Sequence, residues 1–218
     1  GRYLATRVDL LPAGDCLELE AIPDDATPMP YENVRQFIQR EIGFAPEEIF
    51  LSLESAPYES YLLHQSHHAR LQTGMPVVVK LVRTDAISQF LCDVDLLELI
   101  ETTIGGPARG MTLKNAVADF ATVLRQQLDL THEAKALETL RRDAEAVDVL
   151  RGPQVLRELS SPSVLTVEHL AGTKPRDATA TFDRQGVARL LCSAWLRQAL
   201  MGHIFPVEPG AANIAVIS

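Results

Sequence analysis

The stretch Met75-Pro76-Val77-Val78-Val79-Lys80-Leu81-Val82 decides the fold that this sequence predicts. It is apolar throughout apart from one lysine, which is typical of a buried β-strand. Just before it, Ala69-Arg70-Leu71 is a second strand candidate, and Gln72-Thr73-Gly74 forms a turn between the two. The two segments therefore predict a β-hairpin whose second strand carries Lys80 near its end.

Elements on both sides extend this hairpin into a larger α+β arrangement. Upstream, apolar residues at helical spacing predict a helix over Tyr31–Ile42, and a strand follows over Ile49–Leu53. Downstream, Gly and Pro divide the chain into further helices and short strands. We expect helices over Ile87–Thr103, Leu113–Val149 and a stripe from Val187 to Leu200 that buries Trp195, and strands over Val155–Leu159, Val164–Leu170 and Ile214–Ile217.

Composition and charge exclude several classes of function. The 218 residues are 46% hydrophobic and carry a net charge of −9 without a basic stripe, which argues against nucleic-acid binding. No apolar run approaches the ~18 residues of a membrane helix, so no span is expected within this stretch. Three distant cysteines (Cys16, Cys92 and Cys192) indicate a reducing, cytoplasmic setting without disulfides. The sequence begins at Gly1 rather than Met, and we expect it to be a fragment.

An acid and an amide near the C-terminus point to chemistry. The loop Glu208-Pro209-Gly210-Ala211-Ala212-Asn213 places Asn213 five residues after Glu208. A strand lysine combined with such a pair is how kinases bind phosphate and magnesium, although kinases use aspartate where this chain has glutamate. Taken alone, Lys80 could be a strand end and the other two residues turn residues. The order of the elements nevertheless favours a protein-kinase-like fold.

At this point the chain resembles the UbiB (AarF) family of atypical kinase-like proteins. Thr6-Arg7-Val8-Asp9-Leu10-Leu11-Pro12 is similar to the family's TRxDLLP segment, and Gln65-Ser66-His67-His68-Ala69 to its QVHRA segment. The stretch from Glu158 to Glu168 resembles the strand pair ELSTxxVLTME. With Leu128-Asp129, Glu133-Ala134 and the final loop, the resemblance covers nearly the whole chain.

The resemblance implies an α+β, protein-kinase-like architecture in three parts. Residues 1–48 would form an N-terminal helical extension, 49–170 an N-lobe with a sheet and a long helix, and 171–218 the start of a helical C-lobe. It also implies ATP and Mg²⁺ as cofactors and a role in isoprenoid-quinone biosynthesis. The implied site has Lys80 on the phosphates, Glu208 as the acid, Asn213 on magnesium, and Gln127, Glu133, Glu168 and Leu170 in the nucleotide site.

Three departures from the family pattern bear on activity. Glu59-Ser60-Tyr61-Leu62 replaces a loop of small residues, and a carboxylate there would repel a triphosphate. Gln127 replaces the glutamate expected to pair with Lys80, so that hydrogen bond would lack charge assistance. In the catalytic-like loop, Pro206 replaces histidine and Glu208 replaces aspartate. Moving a carboxylate by on the order of 1 Å can cost ~100-fold in rate.

Two functions from different classes follow from these features. The first is an ATP-binding atypical kinase or ATPase, with quinone-biosynthesis proteins or lipid-like precursors as partners and a cytoplasmic location that includes the membrane periphery. The second is a pseudokinase scaffold with little or no nucleotide turnover.

A metal site at His64, His67 and His68 is a minor alternative. No nearby carboxylate or cysteine completes a tetrahedral ligand set around these three residues. The family keeps one histidine here, at position 67, for packing and hydrogen bonding.

Overall fold

The computed structural model describes residues 11–22, 25–83, 110–145, 150–173, 183–201 and 215–217, with residues 5, 8, 92, 94–96 and 99 besides. Over this part the chain combines helices with one antiparallel sheet, so the predicted α+β class is confirmed. The predicted helix Ile87–Thr103 lies mostly outside the described residues, and those of its residues that are described (92, 94–96 and 99) are helical. Residues 215–217 of the predicted strand Ile214–Ile217 are described, but there Val216 forms only an isolated bridge with Thr173 and does not join the sheet.

The sheet is built around the predicted hairpin. The described strands are β1 Phe50–Leu53, β2 Glu59–Ser60, β3 His64–Leu71, β4 Pro76–Val82 and β5 Val164–Glu168. β3 pairs with β4 from His64 opposite Val82 to Arg70 opposite Pro76, and Gly74 in the turn has a φ of +88° that favours glycine. The strand order in the sheet is β1-β3-β4-β5, with β2 also paired to β3.

Helices lie before, between and after these strands. The second begins and ends where the sequence predicted, at Tyr31 and Ile42, and Gly43 closes it with a left-handed φ of +90°. The described helices are α1 Ala13–Glu20, α2 Tyr31–Ile42, α3 Pro46–Ile49, α4 Gly110–Gln127, α5 Leu130–Glu145 and α6 Arg184–Met201, with a 3-10 turn over Arg157–Leu159. None of these described helices is long and apolar enough to cross a membrane.

The alternation of side chains along β4 gives the sheet two different faces. We call one the covered face, because its side chains pack against α2 in a single apolar cluster. We call the other the cavity face, because it bears Lys80 and is only partly covered, at one end, by α5. The covered cluster contains Val34, Phe37, Ile38, Phe50, Ala69, Val77, Val79, Leu81 and Val164.

The long helix predicted over Leu113–Val149 is wrong, because the chain breaks it in two. α4 ends at Gln127 and α5 begins at Leu130. Between them, the Asp129 carboxylate accepts a hydrogen bond from the Thr131 amide at 2.9 Å, which is the geometry of a helix N-cap. The Leu130 amide donates to the carbonyl of Pro162 at 2.8 Å. Local capping thus starts a new helix where the apolar pattern runs on.

The strand predicted over Val155–Leu159 is also wrong. Val155 forms only an isolated bridge with Val167, and a 3-10 turn follows. The Leu156 carbonyl accepts hydrogen bonds from the Leu159 amide at 3.1 Å and the Ser160 hydroxyl at 2.8 Å. The Leu156 amide still donates to the Thr166 carbonyl at 2.9 Å, but the local bonds turn the chain away from β5 after that residue. The neighbouring prediction of a strand from Val164 is confirmed, although it ends at Glu168 rather than Leu170.

The predicted helix after residue 183 is present, but its stripe is not buried as expected. Ala194 of α6 is buried, whereas Trp195 is half-buried and Leu190 and Leu200 are exposed. A helical stripe is buried only where another element covers it. The assignment of Trp195 to the core is therefore wrong.

Candidate functional site

The centre of the candidate site is an ion pair between the sheet and a helix. Lys80 Nζ on β4 lies 2.7 Å from Glu133 Oε2 and 3.0 Å from Oε1, in the first turn of α5. Both side chains are partly accessible, at 26% and 40%. The pair depends on the break before α5, because that break sets which side chain reaches the strand lysine.

Gln127 is not the partner of Lys80 that the sequence led us to expect. It is exposed at the end of α4, and its backbone carbonyl accepts a hydrogen bond from His64 Nε2 at 2.7 Å. Gln127 ends one helix while Glu133 lies in the first turn of the next, so Glu133 rather than Gln127 holds Lys80. The charge assistance expected to be lost is therefore kept.

His64 adds a neutral imidazole to this site. Burial, followed by the nearby Lys80 ammonium, lowers the pKa of His64 to about 4. At neutral pH the ring is uncharged, so Nε2–H donates to the Gln127 carbonyl. His64 thereby ties the start of β3 to the end of α4. From its sequence context, His64 was a candidate only as a metal ligand, and no pattern of residue types marks its hydrogen bond to a backbone carbonyl.

A cavity of about 220 Å³ opens on the cavity face beside Lys80 and Glu133. Its apolar wall comes from β4 and β5, and its polar end from the ion pair and the segment around β2. This combination of an apolar wall with a few convergent polar groups is typical of small-molecule sites. The lining residues are Glu59, Tyr61, His64, Ser66, Val78, Lys80, Glu133, Leu137, Leu165 and Val167.

Among the other predicted site residues, Glu168 and Leu170 do not line this cavity. The Glu168 carboxylate is held by the Arg151 guanidinium and accepts from the Gln154 amide at 3.2 Å. Leu170 follows β5 and is half-buried. Glu208 and Asn213 lie outside the described residues. Of the predicted set, the structure thus brings together Lys80 and Glu133, with Gln127 joined to them through its carbonyl and His64.

The three clustered histidines are separated by strand alternation. His64 lines the Lys80 cavity, whereas His67 is fully buried on the covered face. There His67 Nδ1–H donates to the Glu54 carbonyl at 2.8 Å, and its Nε2 lies 2.9 Å from the Gln65 amide nitrogen. The His68 ring contacts the tilted ring of Tyr58, with centroids 4.4 Å apart, and the ring of His169 edge-on, with centroids 4.7 Å apart. No group of three metal-ligating side chains occurs in the part of the chain that the structure describes.

A second cavity of about 250 Å³ lies on the same face, towards the turn of the hairpin. Its wall includes the edge-on pair of rings from His68 and His169, together with Glu54 and Arg70. Burial lowers the pKa of His169, and nearby His68 adds to that effect. The strand lysine and its helix partner belong only to the first cavity.

A strand lysine held by a helix glutamate beside a cavity is the arrangement found in the N-lobe of protein-kinase-like folds. The model of the ABC1 atypical kinase-like domain matches residues 21–218. The chain belongs to this family. The predicted resemblance and the predicted kinase-like fold are therefore both confirmed.

The chain is also similar to named relatives over nearly its whole length. Protein sll1770 of Synechocystis is 30% identical over 99% of this chain and 38% of its own length. The probable protein kinase UbiB of Pseudomonas putida is 31% identical over 99% of this chain and 41% of the relative. Arabidopsis thaliana ACTIVITY OF BC1 COMPLEX KINASE 8 is 29% identical over 99% of this chain and 29% of the relative. The chain thus spans well under half the length of these relatives.

A solved structure supports the same fold. The Rv3197–erythromycin complex from Mycobacterium tuberculosis matches with a TM-score of 0.72 and 20% identity. The match covers the whole of this chain and 56% of that chain.

Proposed function

We propose that this chain is the nucleotide-binding part of a UbiB-like atypical kinase or ATPase that uses ATP and Mg²⁺. The observation that carries the proposal is the Lys80–Glu133 pair at the polar end of the 220 Å³ cavity. In kinases the corresponding lysine binds the phosphates and its glutamate fixes the lysine's position. The apolar wall formed by Val78 and Val167 suits the flat face of a base.

Several residues are suited to bind the phosphates, the metal ion and the base of such a nucleotide. The Lys80 ammonium has donors for phosphate oxygens, and its contact with both oxygens of Glu133 fixes its position. Mg²⁺ would neutralise phosphate charge, and we propose Asn213 as its ligand and Glu208 as the acid near the acceptor. Around the base we propose Glu168 and Leu170, which lie at the end of β5 and just after it.

The wider role follows from the relatives. We propose that the whole protein supports isoprenoid-quinone biosynthesis, because relatives named UbiB align with nearly all of this chain. Quinone-biosynthesis proteins or lipid-like precursors would be its partners, and the cytoplasm, including the membrane periphery, its location.

One observation favours the pseudokinase scaffold as a second candidate. Glu59 lines the same cavity as Lys80, and Glu133 already offsets the lysine's charge. A triphosphate entering this cavity would face an additional carboxylate, which opposes binding. A scaffold that binds nucleotide weakly or does not turn it over is consistent with this arrangement.

Calorimetric titration with Mg-ATP and Mg-ADP tests the proposal. We expect Lys80→Ala to weaken binding about 10- to 100-fold, because a charge-assisted bond to phosphate is removed. Lys135→Ala is the matched control, since Lys135 is exposed on the same helix as Glu133. Equal losses in both variants, or no binding by the unaltered protein, would reject the nucleotide site.

Measurement of ATP hydrolysis distinguishes the kinase or ATPase from the pseudokinase scaffold. If the protein is a weakened enzyme, ATP hydrolysis should rise in Glu208→Asp, because the shorter acid restores the kinase residue. If nucleotide binds but neither protein hydrolyses it, the scaffold is the better description.

A further inference from the structure

A segment ahead of α2 runs along the edge of the cavity. We call residues 25–29 the strap and residues 58–63 the cavity loop. Asp25 forms a bridge with Tyr61, and the Ala26 amide donates to the Ser60 carbonyl at 3.0 Å. The strap therefore pairs with the loop that contributes Glu59 and Tyr61 to the cavity.

The C-terminal end of the strap is held by a buried side chain of the sheet. Gln65 Oε1 accepts from the Met29 amide at 2.7 Å, and Gln65 Nε2 donates to the Met29 carbonyl at 3.3 Å. Gln65 is fully buried and continues the cavity loop into β3. Its amide thus replaces a neighbouring strand and fixes the position of the strap against the sheet.

Arg83 joins the strap to the cavity loop. Its Nη1 donates to the Thr27 carbonyl at 2.9 Å and lies 3.5 Å from the Tyr61 carbonyl. Its backbone amide also donates to the Leu63 carbonyl at 2.8 Å. One guanidinium therefore contacts both segments, directly after the strand that carries Lys80.

We infer that Arg83 is a positioning residue that ties the cavity loop to the strap and so keeps Glu59 in the cavity. Glu59 pairs with Ser66 across β2 and β3, which directs it to the same face as Lys80. The tie sets how strongly the cavity opposes a phosphate-bearing ligand, and this second part rests on the proposed function. When the tie is broken, the loop with Glu59 can move away and phosphates enter more easily.

Hydrogen exchange of the unliganded protein tests the tie by itself. In Arg83→Gln we expect about tenfold faster exchange of the amides of residues 26 and 58–63, since a charge-assisted bond between the two segments is lost. The exchange rate in Arg83→Lys should lie between those of the unaltered protein and Arg83→Gln, because lysine keeps the charge without the guanidinium fork. Arg70→Gln is the matched control, since Arg70 donates to the Gly74 carbonyl at 2.8 Å elsewhere in the sheet. Unchanged exchange in Arg83→Gln, or an equal rise in the control, overturns the inference.

Binding of Mg-ATP tests the consequence. We expect Glu59→Gln to tighten binding about fivefold or more, because one like charge leaves the cavity. Arg83→Gln should tighten binding in the unaltered chain but not in the Glu59→Gln background, since the two changes act through the same carboxylate. Weaker binding in Arg83→Gln, or additive effects, would overturn the link to Glu59. If no variant binds nucleotide, the proposed function fails, and the exchange result alone decides whether Arg83 ties the loop.

Discussion

The two faces of the sheet use the same strands for different purposes. On the covered face, Val77, Val79 and Leu81 are fully buried against α2. On the cavity face, Val78 and Lys80 alternate with them and stay partly accessible. One largely apolar strand therefore supplies both the core and the wall of a cavity, and the alternation of its side chains separates the two.

Polar groups on the two faces are satisfied in different ways. Gln65 and His67 on the covered face are completely buried and hydrogen-bond mainly to backbone groups and to each other. Lys80 and Glu133 on the cavity face bond to each other and keep access to solvent. Fully satisfied buried groups fix a structure, whereas an accessible ion pair can exchange partners with a ligand.

The largest expected loss of stability comes from a substitution that creates a cavity in the covered face. Leu81→Ala should lower the free energy of unfolding by about 2–5 kcal/mol, because it removes buried methyl groups and leaves a cavity. Leu51→Ala is the control, since Leu51 is 63% exposed and should change stability by no more than about 0.5 kcal/mol. Urea denaturation of both variants measures the difference. Similar values for the two would contradict the close packing of the covered face.

A second, smaller effect should be a dependence of the free energy of unfolding on pH that is caused by His64 on the cavity face. The folded-state pKa of His64 is lowered from its ordinary value of 6.5 to about 4. Between these two pH values the unfolded chain therefore binds more protons than the folded protein. The contribution of His64 to the free energy of unfolding is therefore complete above pH 6.5 and is lost as the pH falls towards 4. We expect a loss of about 2–3 kcal/mol between pH 7.5 and 4.5 from His64.

Urea midpoints measured across this pH range check the expectation. His64→Gln keeps a donor for the Gln127 carbonyl but does not titrate, so its stability should fall less steeply. Burial also lowers the pKa of His67, which leaves some dependence of the same sign in the variant. An equally steep fall in both proteins would show that His64 is not the responsible group.

The smallest effect should come from the ion pair itself. Glu133→Gln should change the free energy of unfolding by less than about 1 kcal/mol, because an ion pair with this much access to solvent contributes little. The same variant should weaken Mg-ATP binding, since Lys80 would be less firmly positioned. A large loss of stability would instead make the pair structural and remove the contrast between the faces.

Much of the fold could be predicted because its patterns are local. The spacing of Val34, Phe37, Ile38 and Ile42 defined α2, and the turn at Gly74 defined the hairpin. The break between α4 and α5 was missed because the apolar pattern continues through it, although Asp129 directly before Leu130 and Thr131 is a recognisable N-cap. At Leu156, side-chain and turn hydrogen bonds prevailed over strand propensity.

The candidate site was less predictable because its contacts join distant segments. Lys80 was identified from its strand, but its partner depended on a helix boundary that the sequence placed wrongly. The links from Arg83 to Thr27 and from Gln65 to Met29 involve backbone carbonyls and amides. Such partners leave no mark in the residue types, so side-chain patterns could not reveal them.

The pairing of β4 with β5 has a consequence for how the chain is made. Lys80 lies opposite Leu165, so the two strands meet across about 85 residues of chain. At ribosomal rates of about 5–20 residues per second, several seconds pass between the synthesis of β4 and that of β5. During this time the edge of β4 that later pairs with β5 is unpaired. Such an edge can pair with other chains. We therefore expect nascent chains that end before Val164 to need chaperone protection, and release after Glu168 to complete the sheet.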